Sequence, residues 1–247
     1  MSAPEKPLVP AVSDGAMQQS APTTASTRKT ATLVGLLFLI ATIAFIFADT
    51  LIGGVLSRPD FLAGASADTG SLAVGASLLA GQFGVVGIAV LLFPLLKRHG
   101  ESLALAHVGF RVAELAASLF YLAVPLLMLE LGAGVRDGTV DGATSTSLGA
   151  LLRAQYSAAT LLIYLVTTAA GTCMAVLLYR SRLIPRPLAI LGLVSYPALL
   201  VGCVLDMFDI VDVTQGVGLI ALVPGGIFEL ILPIWLFVKG FTFPAQN

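Results

Sequence analysis

LALAHVGFRVAELAASLFYLAVPLLMLEL, residues 103–131, decides how this chain folds. A run of roughly 20 apolar residues is long enough to cross the hydrocarbon core of a bilayer as a helix. This run holds fourteen large aliphatic or Phe side chains, yet His107, Arg111, Glu114, Ser118 and Tyr121 interrupt it at spacings of 4, 3, 4 and 3. Such spacing puts all five on one face of a helix. On insertion scales an Arg or an acid near the helix centre costs about 2.5–3.5 kcal/mol, and each Leu, Val or Phe returns about 0.3–0.6. The two sums are similar in size. The helix can therefore insert, and its polar stripe is expected to turn from lipid toward other helices.

Five further apolar runs flank it, at 31–54, 71–96, 155–179, 187–208 and 216–238. The 247 residues are 57% hydrophobic and 11% charged, with a mean hydropathy of +0.96. Soluble domains carry about 25% charged residues, so that class is excluded. The expected fold is all-α, an integral membrane bundle of six transmembrane helices over residues 31–243. Residues 1–30 are rich in Pro, Ser, Thr, Ala and Gln. They hold too little apolar area to offset the entropy of ordering, which predicts a disordered polar tail. A net charge of −1 gives no electrostatic basis for binding nucleic acid.

Orientation follows from where the basic residues fall. With the N-terminus in the cytoplasm, the inner side collects Arg28, Lys29, Lys97, Arg98, Arg180, Arg182, Arg186 and Lys239, against Arg58, Arg136 and Arg153 outside. Both termini are then cytoplasmic. The longest outer loop is expected at 132–154, with Asp137-Gly138 and Asp141-Gly142 as turns. Cys173 and Cys203 sit at roughly 10 and 25 Å from the inner ends of their spans at 1.5 Å per residue, which argues against a disulfide. Their spacing suits no metal site.

Other spans carry weaker stripes. Thr160, Tyr164, Thr167 and Gly171 share one face of the fourth, and Gly35, Thr42 and Asp49 one face of the first. Ala76, Ala80 and Gly84 form a small-residue ridge on the second, where close helix approach is expected. Glu229 in the sixth lies roughly 15 Å along the helix from Lys239, and Arg111 roughly 18 Å from His99. Their depths agree, so Arg111 can pair with Glu229 across helices, with Glu114 on its own helix, or with both.

Four stretches resemble a known family: Gly35–Ala41 (GLLFLIA), Phe110–Glu114 (FRVAE), Leu178–Gly192 (LYRSRLIPRPLAILG) and Phe228–Phe241 (FELILPIWLFVKGF). The chain from about 30 to 243 is similar to the domain of unknown function 4386, a family of bacterial multi-pass membrane proteins. The resemblance implies a bacterial inner-membrane location and places Arg111, Glu114 and Glu229 in the family pattern. It implies a fold but no chemistry, because the family has no settled activity.

The function suggested first is non-catalytic binding of a lipid, small molecule or partner helix in a polar cleft between the third, fourth and sixth spans. His107, Arg111, Glu114, Ser118, Tyr121, Tyr164 and Glu229 are the candidate ligand-binding or ion-pairing residues. A planar guanidinium suits carboxylate and phosphate groups. The alternative is a small secondary transporter in which Glu114 or Glu229 exchanges protons. Catalysis ranks last, and no cofactor or metal is expected. The chain has no HExxH helix and no GxSxG elbow, and His107 and Ser118 stand roughly 16 Å apart along their helix. Membrane lipids are the expected surroundings and partners.

Overall fold

The computed structural model describes residues 24–65 and 67–242. It contains α1 (Thr24–Leu56), the short α2 (Phe61–Gly64), α3 (Thr69–Leu78), α4 (Phe83–Leu96), α5 (Glu101–Arg136), α6 (Gly142–Ser181), α7 (Arg186–Met207) and α8 (Val223–Val238). A 3-10 turn at 79–82 joins α3 to α4 as one span, and another at 216–221 leads into α8. Among the described residues, six stretches are long and apolar enough to cross a membrane: Thr27–Leu56, Thr69–His99, Glu101–Arg136, Gly142–Ser181, Arg186–Met207 and Gly216–Val238. No strand occurs among the described residues, and the protein is an all-α, multi-pass membrane protein.

Three local expectations change. Helix α1 begins at Thr24, so residues 24–30 are helical and not part of a polar tail; the tail before them lies outside the described residues. The outer loop expected at 132–154 shrinks to 137–141, because α5 runs on to Arg136 and α6 starts at Gly142. Only the first Asp-Gly is a turn, with Gly138 at φ +73°. The second is a helix start: Asp141 caps α6 by accepting the Thr144 backbone N–H at 2.8 Å. That hydrogen bond holds the exposed Asp141 carboxyl below its ordinary range. The third change is in the second span. The 3-10 turn, with three residues per turn, rotates the small-residue face, so Ala80 is exposed while Gly75, Gly81 and Gly84 approach α1.

The six spans form a ring in chain order, each packed on its sequence neighbours, with α8 closing against α1. Both ends of the described chain lie at the basic end, where the Thr242 N–H donates to the Leu183 carbonyl at 2.8 Å. The core has two large clusters and a small third one of Leu199, Cys203 and Val213. One large cluster, with Phe38, Leu92, Met174, Leu178, Phe228 and Leu232, fills the basic half. The other large cluster, with Ile52, Leu72, Tyr121, Met128 and Ile163, fills the opposite half. Between these two large clusters lie polar residues: Thr42 of α1, Gln82 of the 3-10 turn before α4, Arg111 with Glu114 of α5, and Thr167 with Thr168 of α6. A polar layer thus crosses the bundle near mid-depth.

Close packing of that layer depends on glycine. A Cβ added to Gly171 of α6 would fall 2.1 Å from the Tyr196 ring of α7. Gly171→Ala is therefore expected to overpack the bundle by about 1–3 kcal/mol, seen as a lower unfolding midpoint in detergent, and Tyr196→Leu in the same chain should recover most of it. An unchanged midpoint in the single variant would show that the α6–α7 contact is looser than described.

Candidate functional site: a polar cavity at mid-depth

All five stripe residues of α5 are buried, and Arg111 and Glu114 are only 3% and 4% exposed. The guanidinium Nη1 donates to both carboxylate oxygens of Glu114, at 3.0 and 2.8 Å. This is an i,i+3 pair on one helix, a spacing at which side chains meet over a single turn. Of the pairings left open by depth, the direct one is with Glu114. Glu229 of α8 acts on Arg111 through space, and its own hydrogen bond comes from the Thr42 hydroxyl of α1 at 3.0 Å.

Beside the pair lies a cavity of about 280 Å³, lined from all six spans. Its polar lining includes Thr42, Gln82, Arg111, Glu114, Tyr164, Thr167, Ser195, Tyr196 and Glu229. Phe45, Val85, Ile163, Leu199 and Leu222 supply apolar walls. The cleft expected between the third, fourth and sixth spans is thus a central chamber to which the first, second and fifth contribute as well. Gln82 is positioned by the 3-10 break: its Nε2 donates to the Ala41 carbonyl of α1 at 3.2 Å.

Four of the seven candidate residues, Arg111, Glu114, Tyr164 and Glu229, line the chamber. The other three do structural tasks nearby. His107 makes its contact through Nδ1, 2.8 Å from the Ala170 carbonyl, and ties α5 to α6. Ser118 donates to the Glu114 carbonyl one turn back, at 2.9 Å. Tyr121 donates to Asp49 of α1 at 2.8 Å, and Tyr156 of α6 donates to the same carboxylate oxygen at 2.7 Å. These tyrosines brace the ring on the side away from the basic end.

Tyr196 is the residue that sequence reasoning missed. It is fully buried against Gly171 and Phe228, and its hydroxyl stands by the Arg111 guanidinium with no well-aligned hydrogen bond between them. The available signal was Ser195-Tyr196-Pro197, a polar interruption in the middle of the fifth apolar run. Arg111 itself keeps two donors, Nε and Nη2, without a hydrogen-bond partner among the described residues. Unpaired buried donors each cost about 1–3 kcal/mol.

The domain of unknown function DUF4386 matches residues 33–240, nearly all of the helical bundle. The chain belongs to the DUF4386 family. No curated protein and no solved structure matches it. Within this DUF4386 chain, all four stretches that carried the resemblance lie in or between the described helices, and two of them bring Arg111, Glu114 and Glu229 to one chamber.

Arg111→Leu leaves Glu114 charged and unpaired in the bundle, a class of change that costs about 3–5 kcal/mol. Arg111→Met combined with Glu114→Leu removes both charges, and such replacement is often neutral or stabilising. Unfolding in detergent should therefore rank the single variant well below the parent and the double variant near it. Equal loss in both would show that the two residues do not act as a pair.

Proposed function

We propose that the protein is a non-catalytic membrane protein that binds a small polar or amphipathic molecule in its mid-depth chamber. The observation that carries this is Arg111, which borders a cavity of about 280 Å³ and holds two donors that no group among the described residues satisfies. Such a volume is about the share of nine liquid waters at roughly 30 Å³ each. It is near the low end for ligand pockets, which run from about 300 Å³ upward. A head group or small ring fits within it, and a whole lipid does not. Neutralising Arg111 requires only Glu114; the chamber, the unmet donors and the second carboxylate of Glu229 go beyond what neutralisation needs. Transport would require a further opening toward the basic end, where Phe38, Met174, Leu177, Phe228 and Leu232 are packed and buried.

Native mass spectrometry of the detergent-purified protein tests this. The parent should carry a small molecule that is released on unfolding, and the folded Arg111→Met, Glu114→Leu protein should lose it. Undiminished retention in that folded double variant counts against the chamber as the binding site.

The location that accompanies this function is a bacterial inner membrane with both termini in the cytoplasm. It is supported by the Arg and Lys residues gathered at the end where the chain's described ends meet. In a chain lacking Cys173 and Cys203, Gly138→Cys should react with an impermeant maleimide on intact spheroplasts, and Arg182→Cys only after permeabilisation. The reverse pattern would invert the topology.

A further inference from the structure

The ring is not sealed equally along the seam between its first and last helices. On the basic side α1 and α8 touch closely: a Cβ on Gly35 would lie 3.2 Å from the Phe237 ring and 3.3 Å from the Pro233 carbonyl. The Thr42–Glu229 hydrogen bond closes the seam at the chamber floor. Beyond it the wall consists of Ile46 on α1, Leu222 just before α8, and Gly225 and Gly226 on α8. Ile46 is 55% exposed although it lines the chamber. Gly226 is exposed too, and a Cβ at Gly225 or Gly226 would meet nothing within 4 Å. The chamber thus has a wall of small or outward-facing residues at a level where the outside of the bundle is apolar, with Ile43, Phe47, Ile227 and Leu230 exposed.

Head-group chemistry follows from the unmet groups and the charge count. The unpartnered Arg111 atoms are donors, so they call for an acceptor and not for an ammonium group. Arg111 is already matched by Glu114, and Glu229 adds a second carboxylate. An anionic head group would leave excess negative charge in a low-dielectric interior, where each unbalanced charge is costly. An uncharged acceptor can take the Arg111 N–H groups and adds no further charge to the site. Building on the binding function proposed above, we infer that the ligand is a neutral lipid whose carbonyl-bearing head enters the chamber sideways between α1 and α8, its apolar tail remaining in the Ile46–Gly226 gap. The tail explains how a chamber too small for a lipid can serve one. Satisfying the Arg111 donors supplies the affinity.

The test uses three probes that share one chain and differ in head group: dodecanoic acid methyl ester, the free acid and dodecylammonium, each with a photoactivatable diazirine at the chain end, in lipid nanodiscs. The ester should label the parent at least about tenfold more than either charged probe, as expected if burying an unmatched charge costs more than 1.4 kcal/mol. Labelled peptides should come from around Ile46 and from the start of α8. A Cβ at either glycine meets nothing within 4 Å, so Gly225→Leu with Gly226→Leu should narrow the gap, melt like the parent and lose about tenfold in labelling. Labelling by acid or ammonium equal to that by the ester overturns the neutral head group. Undiminished labelling of the narrowed variant overturns the lateral route. In either case a molecule still found by native mass spectrometry leaves the binding function standing, whereas no bound molecule and no labelling removes both.

Discussion

A guanidinium inside a bilayer has to be neutralised, and here the acid sits one turn away on the same helix. Because Arg111 and Glu114 meet within α5, the pair enters the membrane already neutralised, and no other helix has to arrive first. The rest of the ring then has to cover a polar surface instead of supplying its counter-charge. Thr167 lies next to the Glu114 carboxylate, Tyr196 stands against the guanidinium, and His107 fastens the turn below to α6. Each contact demands close approach, and Gly171 provides it for Tyr196. One ion pair therefore fixes the register of α5 against α6 and α7.

The same layer explains why the apolar core is split. Two well-packed clusters occupy the halves of the bundle, and the polar residues between them cannot fill space with interdigitating hydrocarbon. On the side away from the basic end, Asp49 receives two tyrosine hydroxyls from α5 and α6 and replaces hydrophobic contact across the ring with hydrogen bonds. In a medium without water to compete, such bonds are the means by which polar groups hold helices together.

Much of this was legible in the sequence, and the part that was not has identifiable causes. The six spans follow from hydrocarbon thickness, which converts run length into topology. The α5 stripe followed from spacing alone, and all five of its residues are buried. What spacing could not give was the partner: matched depths left Glu114 and Glu229 equally available to Arg111, and only three-dimensional placement separates the carboxylate that pairs directly from the one held by Thr42. The start of α6 was misplaced because Asp141-Gly142 fits both a turn and a helix cap, and which it is depends on whether the Thr144 N–H needs an acceptor. Tyr196 escaped because a lone tyrosine has no periodic companion. The small-residue ridge on the second span failed for another reason: a 3-10 turn breaks the 3.6-residue period on which any helical face is counted.

A bundle selected for stability alone could keep the Arg111–Glu114 pair, but two features do not follow from stability. Buried donors that no protein group satisfies are a standing cost, and Arg111 has two of them at the edge of a chamber. Gly225 and Gly226 leave open space, where an added Cβ would meet nothing within 4 Å. Filling that space would stabilise the seam by roughly 25 cal/mol for each Å² removed from contact with its surroundings, were those surroundings water. In lipid the gain is limited to packing, since the acyl chain is as apolar as the side chain that would replace it. A gap between transmembrane helices is therefore cheap to keep as long as a lipid chain can occupy it, and that is the condition under which the wall of the chamber and the donors behind it belong to one site.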